Sequence, residues 1–339
     1  YDQNLINQAK ASMSQSQFDR EFGAIFTDDS SGYFKISKMA KCTIPDGQSP
    51  CVEVAGEPGD KYLLAFDPSW AESESSDNFA MQVFKLNDES QTGTLVHSYA
   101  LPGARMKDHI FYFHYIMSNF NIVAIVGDYN GGVQFMSACN ESSLFKQNNL
   151  KIGTISADLD KLENYQDGLR KAKLEYNLSE KKICILRKPT SQWIRGANEL
   201  LQSNFDHQRI FFGARAVNDG YQKQRNKKIP IKNLRFLRIM DEQEKQSNAA
   251  KMIDFVEHQV DMIEKTKAEC ALIQIKTTAQ GTQTFDLPDN LKRQTGPEKA
   301  RKDSYSALVL GNWMIKTYYD MHNVQQTQGA ATFTPIFIA

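Results

Sequence analysis

The sequence predicts an α/β fold with one mixed sheet, an antiparallel meander that continues into parallel strands, flanked by helices. Three observations point there. Apolar runs at 62–67, 79–86 and 93–101 follow one another with only loops between them, and consecutive strands of that kind pair antiparallel. Further on, the apolar segment KKICILRK, the amphipathic segment SQWIRGANELLQSNF and the apolar QRIFFGA alternate strand, helix, strand, which requires crossover connections and parallel pairing. Between these halves lies NIVAIVGD, a near-continuous apolar run of the type buried on both faces.

Taken in order, residues 6–26 read as a helix with Ile6, Ala9, Met13, Phe18, Phe22 and Ile25 roughly on one face. An irregular, Pro- and Gly-rich stretch runs to about residue 60. The meander follows, with an acidic, Ser-rich loop between its first two strands. A helix is expected near 107–119, then the strand ending at Asp128, then a helix opened by Gly131 and Gly132. An exposed helix over 158–176 precedes the strand at 181–188, a helix over 191–205 capped by Ser191, and the strand at 208–214. Residues 218–247 are polar and basic. A long helix over 246–267 leads to the strand CALIQIKTT, a short strand or turn TQTFDLP, and a last helix over 299–321. No internal repeat occurs. This order of elements is that of a ribonuclease H-like fold, which by itself gives no function. The expected organisation is an N-terminal helix and linker segment over 1–60, a ribonuclease H-like α/β domain over 61–322 with 218–247 as a basic insertion, and a tail over 323–339.

Composition narrows the classes. The 339 residues carry 40 basic and 40 acidic side chains, so there is no global basic field and nucleic-acid contacts must be local. No apolar run reaches the roughly 18 residues of a membrane span, and the polar start is no signal peptide. The chain does not begin with Met and is expected to be a piece of a longer one. The five cysteines are scattered: Cys139, Cys184 and Cys270 sit in apolar segments as small core residues, while Cys42 and Cys51 flank a turn and could pair. None has zinc-ligand spacing, and no pair of histidines does either. A reduced, intracellular protein is expected.

The chemistry centres on carboxylates at element boundaries. Asp67 ends the first strand of the meander, where a buried strand would hold an oxygen ligand rigidly, although strand-end aspartates often only begin a turn. Asp128 ends NIVAIVGD, at the carboxyl edge where open α/β sheets carry their sites, and equally suits an N-cap for the helix that follows. Asp303 opens the last helix, a place the helix dipole favours for any acid. Its neighbours Lys299, Arg301 and Lys302 oppose that dipole and make sense beside phosphate or a divalent cation. Three such acids on one sheet suit two Mg²⁺ or Mn²⁺ ions, with Asp67 bridging and Asp128 and Asp303 on one ion each. Asp77, across the loop, is a fourth candidate and reads more simply as a solvated turn residue. In RNKKIPIKNLR, the residues Arg225, Lys227, Lys228, Lys232 and Arg235 form either a solvated loop or a hairpin tracking a DNA backbone, and Lys299, Arg301 and Lys302 could add phosphate contacts.

These segments together resemble the nuclease domain of the large terminase subunit, the DNA-packaging motor of tailed bacteriophages. SMSQSQFDREFGAIF with SGYF is similar to the segment joining motor to nuclease, and LLAFDPSWAESESSDNFAMQVF to the first acidic strand and its hairpin. IVAIVGDYNGGVQF resembles the second acidic position, SQWIRGANELLQSNFDHQRIFF the helix and strand after it, and RKDSYSALVLGNW the motif supplying the third acid. The resemblance covers most of residues 10–320. It implies a metal-dependent endonuclease cutting concatemeric viral double-stranded DNA in the host cytoplasm, with the portal and small terminase subunit as partners. Two departures stand out. Arg301-Lys302 replaces the His or second Asp that many relatives place before the third acid. No GxxxxGK[ST] phosphate loop is present, so the packaging ATPase is missing from this chain and ATP hydrolysis is not expected. A resolvase or integrase of the same fold and a non-catalytic docking module remain alternatives. A calcium loop at 67–77 lacks the required spacing.

Overall fold

The computed structural model describes residues 32–69, 77–102, 105–157, 162–179, 182–217, 248–277, 283–296 and 299–330. The expected helix at 6–26, the acidic loop at 70–76, the basic segment 218–247 and the residues beyond 330 lie outside these. The first described elements are helix α1 (Ile36–Lys41) and the hairpin of β1 (Tyr62–Asp67) and β2 (Phe79–Asn87), followed by β3 (Thr92–Leu101). Then come α2 (Met106–Asn119), β4 (Ile122–Asp128), α3 (Tyr129–Glu141), α4 (Ser143–Gln147), β5 (Gly153–Ala157) and α5 (Leu162–Tyr176). The chain continues through β6 (Ile183–Arg187), α6 (Ser191–Asp206), β7 (Ile210–Phe212), α7 (Asn248–Leu272), β8 (Gln274–Thr277), β9 (Gln283–Asp286), α8 (Asp289–Lys292) and α9 (Asp303–Ala330).

Seven strands form one mixed sheet in the order β5-β6-β4-β1-β2-β3-β7. The meander β1-β2-β3 is antiparallel, and β1-β4, β4-β6, β5-β6 and β3-β7 pair in parallel. This is the predicted fold class. Residues 42–54 run alongside β7 through bridges Thr43–Phe212 and Cys51–Ala214, and Phe34, Met39, Val52 and Val54 share the main core.

Period-two alternation assigns β1 to two layers. Phe66 faces α2 and α3, where it meets Phe113 and Phe135 with ring centroids 6.0 and 5.6 Å apart. Gln82, the partner of Ala65, faces the other way and donates to the Ser304 carbonyl of α9 and the Thr266 hydroxyl of α7. Asp67, two residues from Ala65, therefore belongs to the α7–α9 face. Gly127 fixes the same for its successor: a Cβ there would lie 2.2 Å from Phe66 Cζ, so position 127 faces the aromatic layer and Asp128 the α9 layer.

Several local expectations change. The α6 N-cap is Thr190, whose Oγ1 accepts from the Trp193 N–H at 3.3 Å, and Ser191 is the first helical residue. CALIQIKTT is not one strand. Its first residues complete α7, and only Gln274–Thr277 is extended, paired with β9 in a separate hairpin. The buried Cys270 extends the helix's apolar face, so helical periodicity wins there. Strand β5 had no apolar run to announce it. The last helix begins at Asp303 and continues to Ala330, through Gln-rich sequence that helices tolerate well. Cys42 and Cys51 do not pair. Their thiols donate to the carbonyls of Phe205 and Gln48.

Candidate metal centre

Three segments far apart in sequence meet at the carboxyl edge of β1 and β4. Phe66 pairs with Gly127 in parallel register, so Asp67 and Asp128 follow side by side on adjacent strands, which lie about 4.8 Å apart. Helix α9 lies across β1, β2 and β4, and its first residue is Asp303. There the carboxylate Oδ2 accepts from the Asn78 N–H at 2.7 Å, just before β2 begins. Ser306, one turn into α9 and on the same side as Asp303, hydrogen-bonds the Asp67 carboxyl.

The electrostatics of the three are uniform. Asp67 is pushed well above the ordinary carboxylate range, first by burial, then by the charges of Asp128 and Asp303. Burial lifts Asp128 to about 6 against the hydrogen bond from the Asn130 N–H, which donates to Oδ1 at 2.6 Å. Burial likewise lifts Asp303 to about 6, opposed by the Asn78 N–H and by Lys265 and Arg301. Among the described residues none of the three is in an ion pair. They are coupled through space without closing on one point: among the described residues no three His, Cys, Asp or Glu side chains stand where they could hold one ion together.

Asp128 caps a helix without leaving the sheet edge. It is the N-cap of α3, and it stands on the shared edge. Gly131, at φ +84°, breaks the first turn so that the capped chain can swing into the helix. Asp77 pairs with Lys299 at 2.9 Å, remains largely exposed, and raises Asp303. Lys302 pairs with Asp286 at 3.0 Å and also lowers Asp67, and Arg301 acts on Asp303 through its charge. Lys299, Arg301 and Lys302 thus border the acids, while Arg225, Lys227, Lys228, Lys232 and Arg235 fall outside the described residues.

Sequence reasoning missed a fourth carboxylate. Glu269, in the last turn of α7, is 5% exposed, accepts from the Tyr305 N–H at 3.1 Å, and is raised to about 7 by burial, with the Asp303 charge adding to it. Its Oε1 is buried without a hydrogen-bond partner among the described residues. An acid in the final turn of a helix opposes the dipole, which was the available signal. Arg187 was missed too. It pairs in register with Asp128 at the end of β6, yet its buried guanidinium lies over the rings of Trp193 and Trp313 at 5.4 and 5.5 Å.

No protein-family model matches this sequence, and no curated protein does. Among solved structures the chain is similar to the large terminase nuclease from thermophilic phage G20c, at 11% identity and TM-score 0.41 over 81% of this chain and 95% of that one. The large terminase nuclease domain of Thermus phage P74-26 aligns at 9% identity and TM-score 0.38, over 81% and 92%. The HK97 bacteriophage large terminase aligns at 12% identity and TM-score 0.30, over 77% of this chain and 41% of that one.

Proposed function

We propose that the chain is a divalent-cation-dependent endonuclease that hydrolyses phosphodiester bonds of double-stranded DNA, with Asp67, Asp128 and Asp303 as its metal-binding acids. One observation carries this reading: three desolvated carboxylates, with the charges of Asp128 and Asp303 both acting on Asp67, share one sheet edge, with hydrogen bonds but no ion pair among the described residues. Buried acids in a purely structural role are ordinarily paired. Acids left in this condition are suited to a bound cation.

The donor chemistry fits Mg²⁺ or Mn²⁺, which take hard oxygens and keep several waters. Two ions would ask for carboxylate pairs rather than a trio around one point, with Asp67 shared and Asp128 and Asp303 on either side. Bound there, they would supply Lewis-acid stabilisation of the attacking and leaving oxygens. The protein's own contribution is positional. Ser306 and the N–H groups of Asn78 and Asn130 orient the three carboxylates, Glu269 ties α7 to the start of α9, and Lys302 adds positive charge beside Asp67 for a phosphate.

The finer reading rests on the terminase-like motifs. The substrate is concatemeric viral DNA cut during genome packaging, in the host cytoplasm, with portal and small subunit as partners and the ATPase supplied outside this chain. The basic residues at 225–235 and 299–302 contact the DNA backbone. Among the described residues no helix is long and apolar enough to cross a membrane. The test is digestion of supercoiled plasmid with Mn²⁺ or Mg²⁺, with and without chelator, by wild type and Asp67→Asn. Chelator-sensitive nicking lost in the variant supports the assignment. Equal activity of the two proteins defeats it.

A further inference from the structure

A cavity of about 190 Å³ opens beside the carboxylate edge, with Asp128, Lys302 and Ser306 in its lining. Its remaining walls are apolar and aromatic, chiefly Trp193 and Ile194 of α6 and Tyr305, Val309 and Leu310 of α9. It is smaller than the roughly 300–1,000 Å³ clefts that take drug-sized ligands, and has room for a single ring system. The polar groups around it are mostly engaged. Tyr305 donates to Asn198 Oδ1 at 2.6 Å, Asn198 Nδ2 donates to the Ile194 carbonyl at 2.8 Å, and Lys302 is paired with Asp286. The exception is Trp193, whose indole Nε1–H is buried with no acceptor among the described residues. The Trp193 ring is held in place by Arg187 and, edge-on at 5.9 Å, by Trp313.

Resting on the nuclease reading, we infer that this cavity receives one nucleobase of the DNA strand, unstacked from the position next to the phosphate being cut. A strand lying across Asp67 and Asp128 can offer the cavity phosphate, sugar or base. Phosphate would find one cation in the lining, Lys302, already paired with Asp286, among walls that are mostly apolar. A sugar would bury several hydroxyls against Ile194, Val309 and Leu310, where the lining is mostly apolar, leaving polar atoms unsatisfied. A base brings a flat apolar face for Trp193 and Tyr305 and ring acceptors for the lone indole N–H. Enzymes that take bases from a duplex use pockets of this kind, and the cost of unpairing falls when the base is already mismatched.

The test maps the cleavage position of the wild-type protein on an oligonucleotide duplex with Mn²⁺. Rates are then compared on duplexes that are paired, mismatched or abasic in the opposite strand at the flanking position. The expected result is cleavage about 5- to 10-fold faster on the unpaired duplexes, a gain that Val309→Phe or Ile194→Phe, each filling the cavity from a different helix, reduces to below twofold. Trp193→Phe, which keeps a ring and removes the N–H, should retain part of it. Circular dichroism melts identify which cavity-filling variant is folded. Equal wild-type rates on all duplexes, or an undiminished gain in a folded filled variant, overturn the base pocket and leave the nuclease reading intact. No cleavage of any duplex by folded wild type overturns both.

Discussion

The two ends of strand β1 handle buried charge in opposite ways. At its start, Lys85 of β2 stands opposite Tyr62 and pairs with Glu53 at 3.0 Å and Asp60 at 2.5 Å, while the Tyr62 hydroxyl donates to Glu53 at 2.6 Å. Burial alone would lower Lys85, but the charges and hydrogen bonds of Glu53 and Asp60 outweigh it and leave it raised. At its finish, five residues on, Asp67, Asp128 and Asp303 are desolvated, and the charges of the latter two act on Asp67. One end is electrostatically closed. The other holds negative charge that folding alone would not collect. The proposed chemistry is therefore assigned to the open end and not to the larger cavity of about 760 Å³ beside Lys61 and Lys85.

The strongest way to break this contrast is at its open end. Asp67→Asn should cut Mn²⁺-dependent cleavage by at least about 10²–10³-fold, the scale of losing one preorganised electrostatic group. It should melt no lower than wild type near neutral pH, because it removes a repelling charge. Cleavage within a few-fold of wild type would show that the open end is not catalytic. Next in size is Lys85→Ala at the closed end. Leaving Glu53 buried and unpaired should cost about 3 kcal/mol by urea titration, with plasmid nicking per folded molecule unchanged. Loss of nicking by the folded variant would erase the distinction between the ends.

A pH series sharpens the comparison further. Asp128 and Asp303 lie near 6 and Glu269 near 7, all above their ordinary values. An acid raised by folding contributes stability while protonated in both states and loses it as pH rises through the folded value. In chelator, then, Tm should fall between about pH 4 and pH 7, each group contributing on the order of 1 kcal/mol after solvent screening, or about 2–4 °C in a domain of this size. Saturating Mg²⁺ or Mn²⁺ should reverse the loss, since an ion at about 100 times its Kd adds about 2.7 kcal/mol. A flat profile, or one that divalent ions leave unmoved, would contradict a cation site. The smallest effect is at the rim. Lys299→Ala breaks an exposed pair with Asp77 and should alter stability by less than about 1 kcal/mol, while lowering the salt dependence of DNA binding by about one counterion.

How far the site was legible varies residue by residue. Asp67 and Asp128 could be found because each ends an unmistakable apolar strand, and the order of elements predicted that those strands share a sheet. Asp303 could be found as the first acid of a long apolar helix. Glu269 was hidden because CALIQIKTT reads as a strand, which places the acid at a loop rather than in a buried last helical turn. Ser306, Arg187 and the cavity at Trp193 carried no motif, since their roles come from what lies opposite them.

The residues alone determined what local pattern can encode: the meander, the crossovers, the strand-end acids, and the small residue before Asp128 that lets Phe66 fill the space beneath. Only tertiary structure decided how these meet. Laying α9 over β1, β2 and β4 brings the buried Asp303 to an edge made by the half-buried Asp67 and Asp128, desolvating the three carboxylates and raising their proton affinity. Periodicity fixes which face a side chain takes on its own element. Desolvation and charge coupling depend on neighbours far away in sequence, and the packing of a helix on a sheet selects those.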